Sequence, residues 1–181
     1  MGDRIARELG GDLDVVLVRK LCAPDSPEFA VGAVDETGWT YIAGHARRFG
    51  ADAAYIEQEK QEQLKTLRKR RAQYTPARPP IDPTGRIVIV VDDGLATGAS
   101  MIAALHAARA KRPQRLICAI PVAAPDSLDR VRPHADEVVF LDAPLEFHAV
   151  GQFYRDFSQV ADEEVIATLA QRQAPNGESR L

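Results

Sequence analysis

Ile87-Val88-Ile89-Val90-Val91-Asp92-Asp93-Gly94-Leu95-Ala96-Thr97-Gly98-Ala99-Ser100-Met101 is the stretch whose reading decides the fold. Five β-branched residues open it, as in a strand buried on both faces of a parallel sheet. Two adjacent carboxylates follow where that strand ends. A small-residue loop with Thr97, Gly98 and Ser100 comes next, then a helix-compatible run from Met101 to Ala110. Ligands of open α/β sheets bind just beyond the carboxyl ends of the strands. A loop feeding a helix N-terminus offers free N–H groups and the positive end of the helix dipole, which suits a phosphate. Thr97 and Ser100 add hydroxyl donors. Asp92 and Asp93 would repel a phosphate, so they address hydroxyls or a divalent cation. A phosphate beside a diol, with carboxylates on the diol, describes a ribose 5-phosphate. The plainer alternative is a strand-to-helix turn carrying two exposed Asp residues. A P-loop is excluded, because no Gly-Lys-Ser/Thr follows, and the Rossmann Gly-x-Gly-x-x-Gly fingerprint is absent.

The run resembles the signature of the type I phosphoribosyltransferases: hydrophobic strand, two acidic residues, Thr-Gly, small hydroxyl residue. The resemblance implies an α/β fold, a parallel sheet flanked by helices, with binding of 5-phosphoribosyl 1-pyrophosphate (PRPP) and Mg²⁺ as cofactor. It implies transfer of the phosphoribosyl group to a nitrogenous base with release of pyrophosphate, in nucleotide metabolism. Carried over by position, Asp92 and Asp93 are the candidate catalytic residues, holding the ribose 2- and 3-hydroxyls. Mg²⁺ would come with PRPP, with either Asp as an added ligand. Ala96, Thr97, Gly98, Ala99 and Ser100 would wrap the 5-phosphate. In this family a basic residue on a loop after an early strand binds the pyrophosphate, and Lys20 with Arg19 takes that place. The region after the final strand recognises the base, which makes Phe147, Phe153 and Tyr154 candidates for stacking on a flat ring. A homodimer is also implied. The alternative from another functional class is a non-catalytic PRPP-sensing regulatory protein on the same fold.

Composition agrees with a globular protein. The chain has 181 residues, 45% hydrophobic and 27% charged, with net charge −3, which suits one domain with a real core. The expected domain covers 1–173, followed by a flexible tail over 174–181. The charge gives no support to nucleic acid as a partner. No apolar run approaches the roughly 18 residues of a membrane span, and the charged start reads as a helix, not a signal peptide. Cys22 and Cys118 fit no zinc spacing, so a reducing cytoplasm is the expected compartment. The four histidines, His45, His106, His134 and His148, show no ligand or triad pairing.

Along the chain, the pattern predicts a short helix over Asp3–Leu9 and a buried strand over Asp14–Val18, with Arg19-Lys20 at the carboxyl end of that parallel strand. Leu21–Glu28, with Pro24 and Pro27, reads as a loop. Phe29–Val34 and Trp39–Ile42 read as a hairpin. A long helix over Asp52–Tyr74 is acidic first and basic later, in keeping with the macrodipole. Its basic run reads as a solvated helix end. Hairpin and long helix form an insertion where the family commonly has a flexible cover loop. Pro76, Pro79, Pro80 and Pro83 form a stiff connector. Strands at 87–91, 115–122 and 137–141 alternate with helices at 99–110 and 125–131, the mark of a parallel sheet. Pro144–Tyr154 is an aromatic-rich segment, and a last helix covers Asp162–Gln171 with Asp162 as its N-cap. The family has a strand before its first helix, and this sequence starts at that helix. The expectation is that Met1 is an internal start of a longer protein.

Overall fold

The computed structural model describes residues 1–76 and 80–172. The connector's Pro79 and the tail expected over 174–181 lie outside the described residues. Helix α1 (Gly2–Glu8) precedes β1 (Val18–Ala23), β2 (Ser26–Asp35) and β3 (Thr40–Ile42). Helix α2 (Ala53–Tyr74) leads to β4 (Ile87–Val91), α3 (Ala99–Arg109) and β5 (Arg115–Val122). Helix α4 (Pro125–Val131), β6 (Glu137–Asp142) and α5 (Asp162–Gln171) complete the order.

Two three-stranded sheets result. Strands β4, β5 and β6 are parallel, in that order, whereas β1, β2 and β3 are antiparallel and form a separate sheet. The parallel unit follows the expected boundaries to within a residue. The antiparallel unit corrects the expected strand over Asp14–Val18: only Val18 of that segment is in a strand. Arg19 and Lys20 therefore do not stand at the carboxyl end of a parallel strand; they belong to the start of β1. The physical reason is pairing. The ladder with β2 begins at Val18 and runs to Ala23, so residues 14–17 lie outside it. The expected loop over Leu21–Glu28 is corrected in the same way, shrinking to a turn at Pro24-Asp25. Pro27 is tolerated inside β2 because β3 pairs only with Gly32–Val34, leaving that end of β2 open on one side. Gly32 is required there: a Cβ would come within 2.3 Å of the Tyr41 carbonyl oxygen.

Helix α3 lies between the sheets. Met101, Ile102, Leu105 and Ala108 pack with Leu116, Cys118 and Ile120 of β5. Ala99 and Ala103 meet Ala33 of β2. Alanines on the facing elements allow this close approach. Asp35, fully buried, ends β2 by accepting hydrogen bonds from Thr37 N–H, Thr37 hydroxyl and Trp39 N–H on its Oδ1. Its Oδ2 faces His106 Nδ1 at 3.6 Å, and Trp39 stacks on that imidazole with centroids 3.6 Å apart. On the other face of the antiparallel sheet, Leu21, Val31 and Val34 pack with Leu64 and Leu67 of α2 and Leu169 of α5.

The α2 N-cap is Asp52, whose Oδ1 accepts from Tyr55 N–H at 2.8 Å. The basic run of α2 is partly occupied, since Arg71 bridges Glu36 and donates to the Val15 carbonyl. For α5 the expected cap is corrected. Ala161 is the N-cap, and Asp162 is the first helical residue, accepting from the Tyr74 hydroxyl at 2.5 Å. The aromatic segment contains a short 3₁₀ turn over Val150–Phe153.

Candidate active site

Strand β4 delivers Asp92 and Asp93 to the end of the parallel sheet because its pairing with β5 continues to the Asp92 N–H, which donates to Ala119 O at 3.3 Å. Asp92 Oδ1 accepts from Asp93 N–H at 2.9 Å. Burial is the main influence on the Asp92 carboxyl and, with the neighbouring Asp93 charge, pushes its pKa up to about 6. Asp93 is also raised, again chiefly by burial. The Lys20 ammonium opposes both shifts, so it is electrostatically coupled to both carboxylates.

Strand register explains why Lys20 is the partner. Lys20 pairs with Ala33, and directly opposed residues share a face of the sheet. Ala33 packs on Ala99 and Ala103, so Lys20 is on the α3 side, near the helix start. Arg19 pairs with Val34 on the opposite face and donates from Nε to Gln63 Oε1 of α2 at 2.8 Å. The structure thus separates two residues expected to act together. Strand alternation was the available signal, since neighbours in a strand point apart.

After the acidic pair the chain turns tightly. Gly94 has room for no side chain, because a Cβ would lie 2.8 Å from Val150 and 2.9 Å from the Val122 carbonyl. Leu95 forms a parallel bridge to Ala123, with its N–H donating to Val122 O at 3.0 Å and its carbonyl accepting from Ala124 N–H at 2.9 Å. Gly98 is the N-cap of α3 at φ +77°, a conformation that favours glycine. Thr97 Oγ1 lies 3.5 Å from Ala99 N. Among the described residues, no hydrogen-bond partner is recorded for the backbone N–H groups of Ala96, Thr97 and Gly98. The loop therefore presents backbone donors and the positive end of an eleven-residue helix beside two carboxylates.

The three aromatic candidates separate as well. Tyr154 reaches the acidic pair, its hydroxyl donating to the Asp93 carbonyl at 2.6 Å. Burial, then the nearby Asp93 and Asp92 charges, raises its pKa. Phe147 and Phe153 pack on each other with centroids 5.4 Å apart. Gln152 holds their segment in shape, accepting from His148 and Ala149 N–H and donating to Glu146 O. Ser127, which carried no signal in the sequence beyond a small polar residue in a helix's first turn, donates to Ala96 O at 2.7 Å.

The phosphoribosyl transferase domain family matches residues 1–158. The chain belongs to this family. Proteins from two strains of Mycobacterium tuberculosis, each named "Putative phosphoribosyl transferase", are 42% identical over 166 residues, covering 91% of this chain and 38% of each relative. The chain thus spans about two fifths of the length of the curated relatives it matches. The crystal structure of TT1426 from Thermus thermophilus is similar with a TM-score of 0.75 and 49% identity, over 93% of this chain and 80% of that one. The matched residues include strand β4, the acidic pair and the loop that follows it. No described helix is long and apolar enough to cross a membrane.

Proposed function

We propose that this phosphoribosyl transferase domain binds Mg·PRPP and transfers the phosphoribosyl group to a nitrogenous base, releasing pyrophosphate. The observation that carries the reading is the grouping of Lys20, Asp92 and Asp93 beside the donor-rich loop 96–100. The two carboxylates suit the ribose 2- and 3-hydroxyls as hydrogen-bond acceptors. The loop N–H groups suit the 5-phosphate, and Lys20 suits the pyrophosphate as a point charge.

The residues fit Mg²⁺ as a companion of the substrate. Mg²⁺ takes hard oxygen ligands and is commonly held by one or two carboxylates together with substrate phosphates. Among the described residues no group of three or more His, Cys, Asp or Glu side chains forms a cage of its own. Asp92 and Asp93 are the residues that would hold the ion, and its chemistry there is to neutralise charge on the departing pyrophosphate.

In the reaction the bond from ribose C1 to the pyrophosphate oxygen breaks, its electron pair leaving with pyrophosphate, and a base nitrogen bonds to C1. Positive charge builds on the ribose ring ahead of that new bond. Catalysis by this chain is then mostly positioning and electrostatics. The carboxylates fix the ring through its hydroxyls, and Lys20 stabilises the departing charge. Tyr154, with its hydroxyl on the Asp93 carbonyl, links the proposed base-recognition segment to the ribose grip. Its ring and that of Phe157, 5.2 Å apart, lie beside that link. A homodimer and a cytoplasmic setting complete the proposal.

Calorimetric titration with PRPP, with and without Mg²⁺, followed by a screen of bases for pyrophosphate release, tests the reading. Mg²⁺-dependent binding and base-dependent release are expected. Binding without turnover on any base would replace the transferase by a PRPP sensor, and no binding would overturn the site.

A further inference from the structure

We propose that Ser127 is a positioning residue for the 5-phosphate loop, held to that task by Arg130. The proposal rests on the PRPP reading above. Ser127 is fully buried on α4, and its Oγ donates to the Ala96 carbonyl at 2.7 Å. Arg130, one turn further along α4, donates from Nη2 to the same Oγ at 3.1 Å. A serine hydroxyl has one proton and two lone pairs. The arginine occupies a lone pair, so the proton is committed to Ala96, and a cationic donor on the oxygen strengthens the bond it gives.

The consequence follows from peptide geometry. In a trans peptide the C=O and the following N–H point in opposite directions, and the described chain contains no cis bonds. Pinning the Ala96 carbonyl onto α4 aims the Thr97 N–H away from α4. That N–H has no recorded partner among the described residues, and it lies two residues before α3, where the proposed phosphate sits.

Helix α4 backs the loop at a second point. A Cβ at Gly98 would lie 3.0 Å from Val131 Cγ2, so the turn at Gly98 is seated directly on α4. Together with the Leu95–Ala123 bridge, these contacts hold the loop from its start to the helix N-cap. The loop is thereby a preorganised donor set and need not be ordered by the ligand.

The test is calorimetry on the full chain with ribose 5-phosphate and with pyrophosphate, comparing wild type, Ser127→Ala, Arg130→Ala and Arg130→Lys. Ser127→Ala should weaken ribose 5-phosphate about three- to tenfold, the value of one hydrogen bond, and leave pyrophosphate within about twofold. Arg130→Ala should show a smaller loss of the same selectivity, restored by Arg130→Lys, which keeps a cationic donor. Arg130 is exposed, so its variants carry the test if Ser127→Ala fails to fold. Unchanged ribose 5-phosphate affinity, or equal losses for both ligands, would overturn the positioning role. Failure of the wild type itself to bind ribose 5-phosphate would overturn the functional reading beneath it.

Discussion

The two sheets of this molecule were written in different codes. In the parallel sheet each strand is a short β-branched or apolar run with a helix between it and the next. Its boundaries follow from composition and spacing alone: β4, β5 and α4 fall where the sequence puts them. In the antiparallel sheet the start of β1 depends on which residues β2 can pair. Val15-Val16-Leu17-Val18 is as apolar as any strand here, yet only Val18 is paired, because β2 offers its edge to Val18–Ala23. Local propensity picks strands well where a crossover helix isolates each one. Where a hairpin register competes, the partner decides.

The largest effect should come from the acidic pair at the end of the parallel sheet. Asp92→Asn with Asp93→Asn should lower Mg·PRPP affinity about a hundredfold or more, since each charged hydrogen-bonding group is worth about 1.5–3 kcal/mol. Circular dichroism should show the fold intact. Undiminished affinity in a titration would break the assignment and, with it, the functional half of the contrast between sheets.

A structural effect in the antiparallel sheet should come next. Gly32→Ala places a methyl 2.3 Å from the Tyr41 carbonyl, and separating β2 from β3 to admit it should cost about 1–3 kcal/mol. A melting curve reads this directly. An unchanged midpoint would mean the β2–β3 register is looser than its geometry.

Lys20 and Arg19 sharpen the comparison further, because strand alternation gives them different tasks. Lys20→Ala should weaken pyrophosphate about tenfold while sparing ribose 5-phosphate, as befits one charge–charge contact. Arg19→Ala should leave both within about twofold, losing only its bond to Gln63. Equal effects from the two substitutions would return the pair to a single shared role.

The smallest effect concerns stability and pH. Asp92 titrates near 6 in the folded chain against a reference of 3.8, so the fold binds its proton more tightly than the unfolded chain does. This group therefore destabilises the protein as pH rises from about 4 to 6, and the cost persists above that. Asp92→Asn alone should raise stability at pH 7 by about 1–2 kcal/mol, a gain that shrinks to nothing below pH 4. Denaturant titrations at pH 4 and pH 7 measure it. Over the same interval, Mg·PRPP affinity of the wild type should fall as the medium is acidified through pH 6.

Legibility of the site divides along similar lines. Asp92, Asp93 and the loop to Ser100 stand in one continuous run, so the sequence carries them whole. Lys20 was nameable from its neighbourhood, but its separation from Arg19 required knowing that both lie within a strand. Tyr154 was nameable as an aromatic after the last strand, whereas the task of its hydroxyl, bonded to a carbonyl 61 positions away, exists only in three dimensions. Ser127 had no sequence signal beyond being a small polar residue in the first turn of α4. Buried hydroxyls are recognised by what they bond to, and spacing does not encode that.

Helix α3 has a further consequence for how the protein comes apart. Its residues complete the core of the parallel unit on one side and meet the antiparallel sheet on the other. Neither unit can open without exposing that helix. The two sheets share no backbone ladder, yet they should unfold in one transition, with the amides of α3 among the last to exchange with solvent. The helix that follows the loop at 96–98 would then report global unfolding, not local breathing.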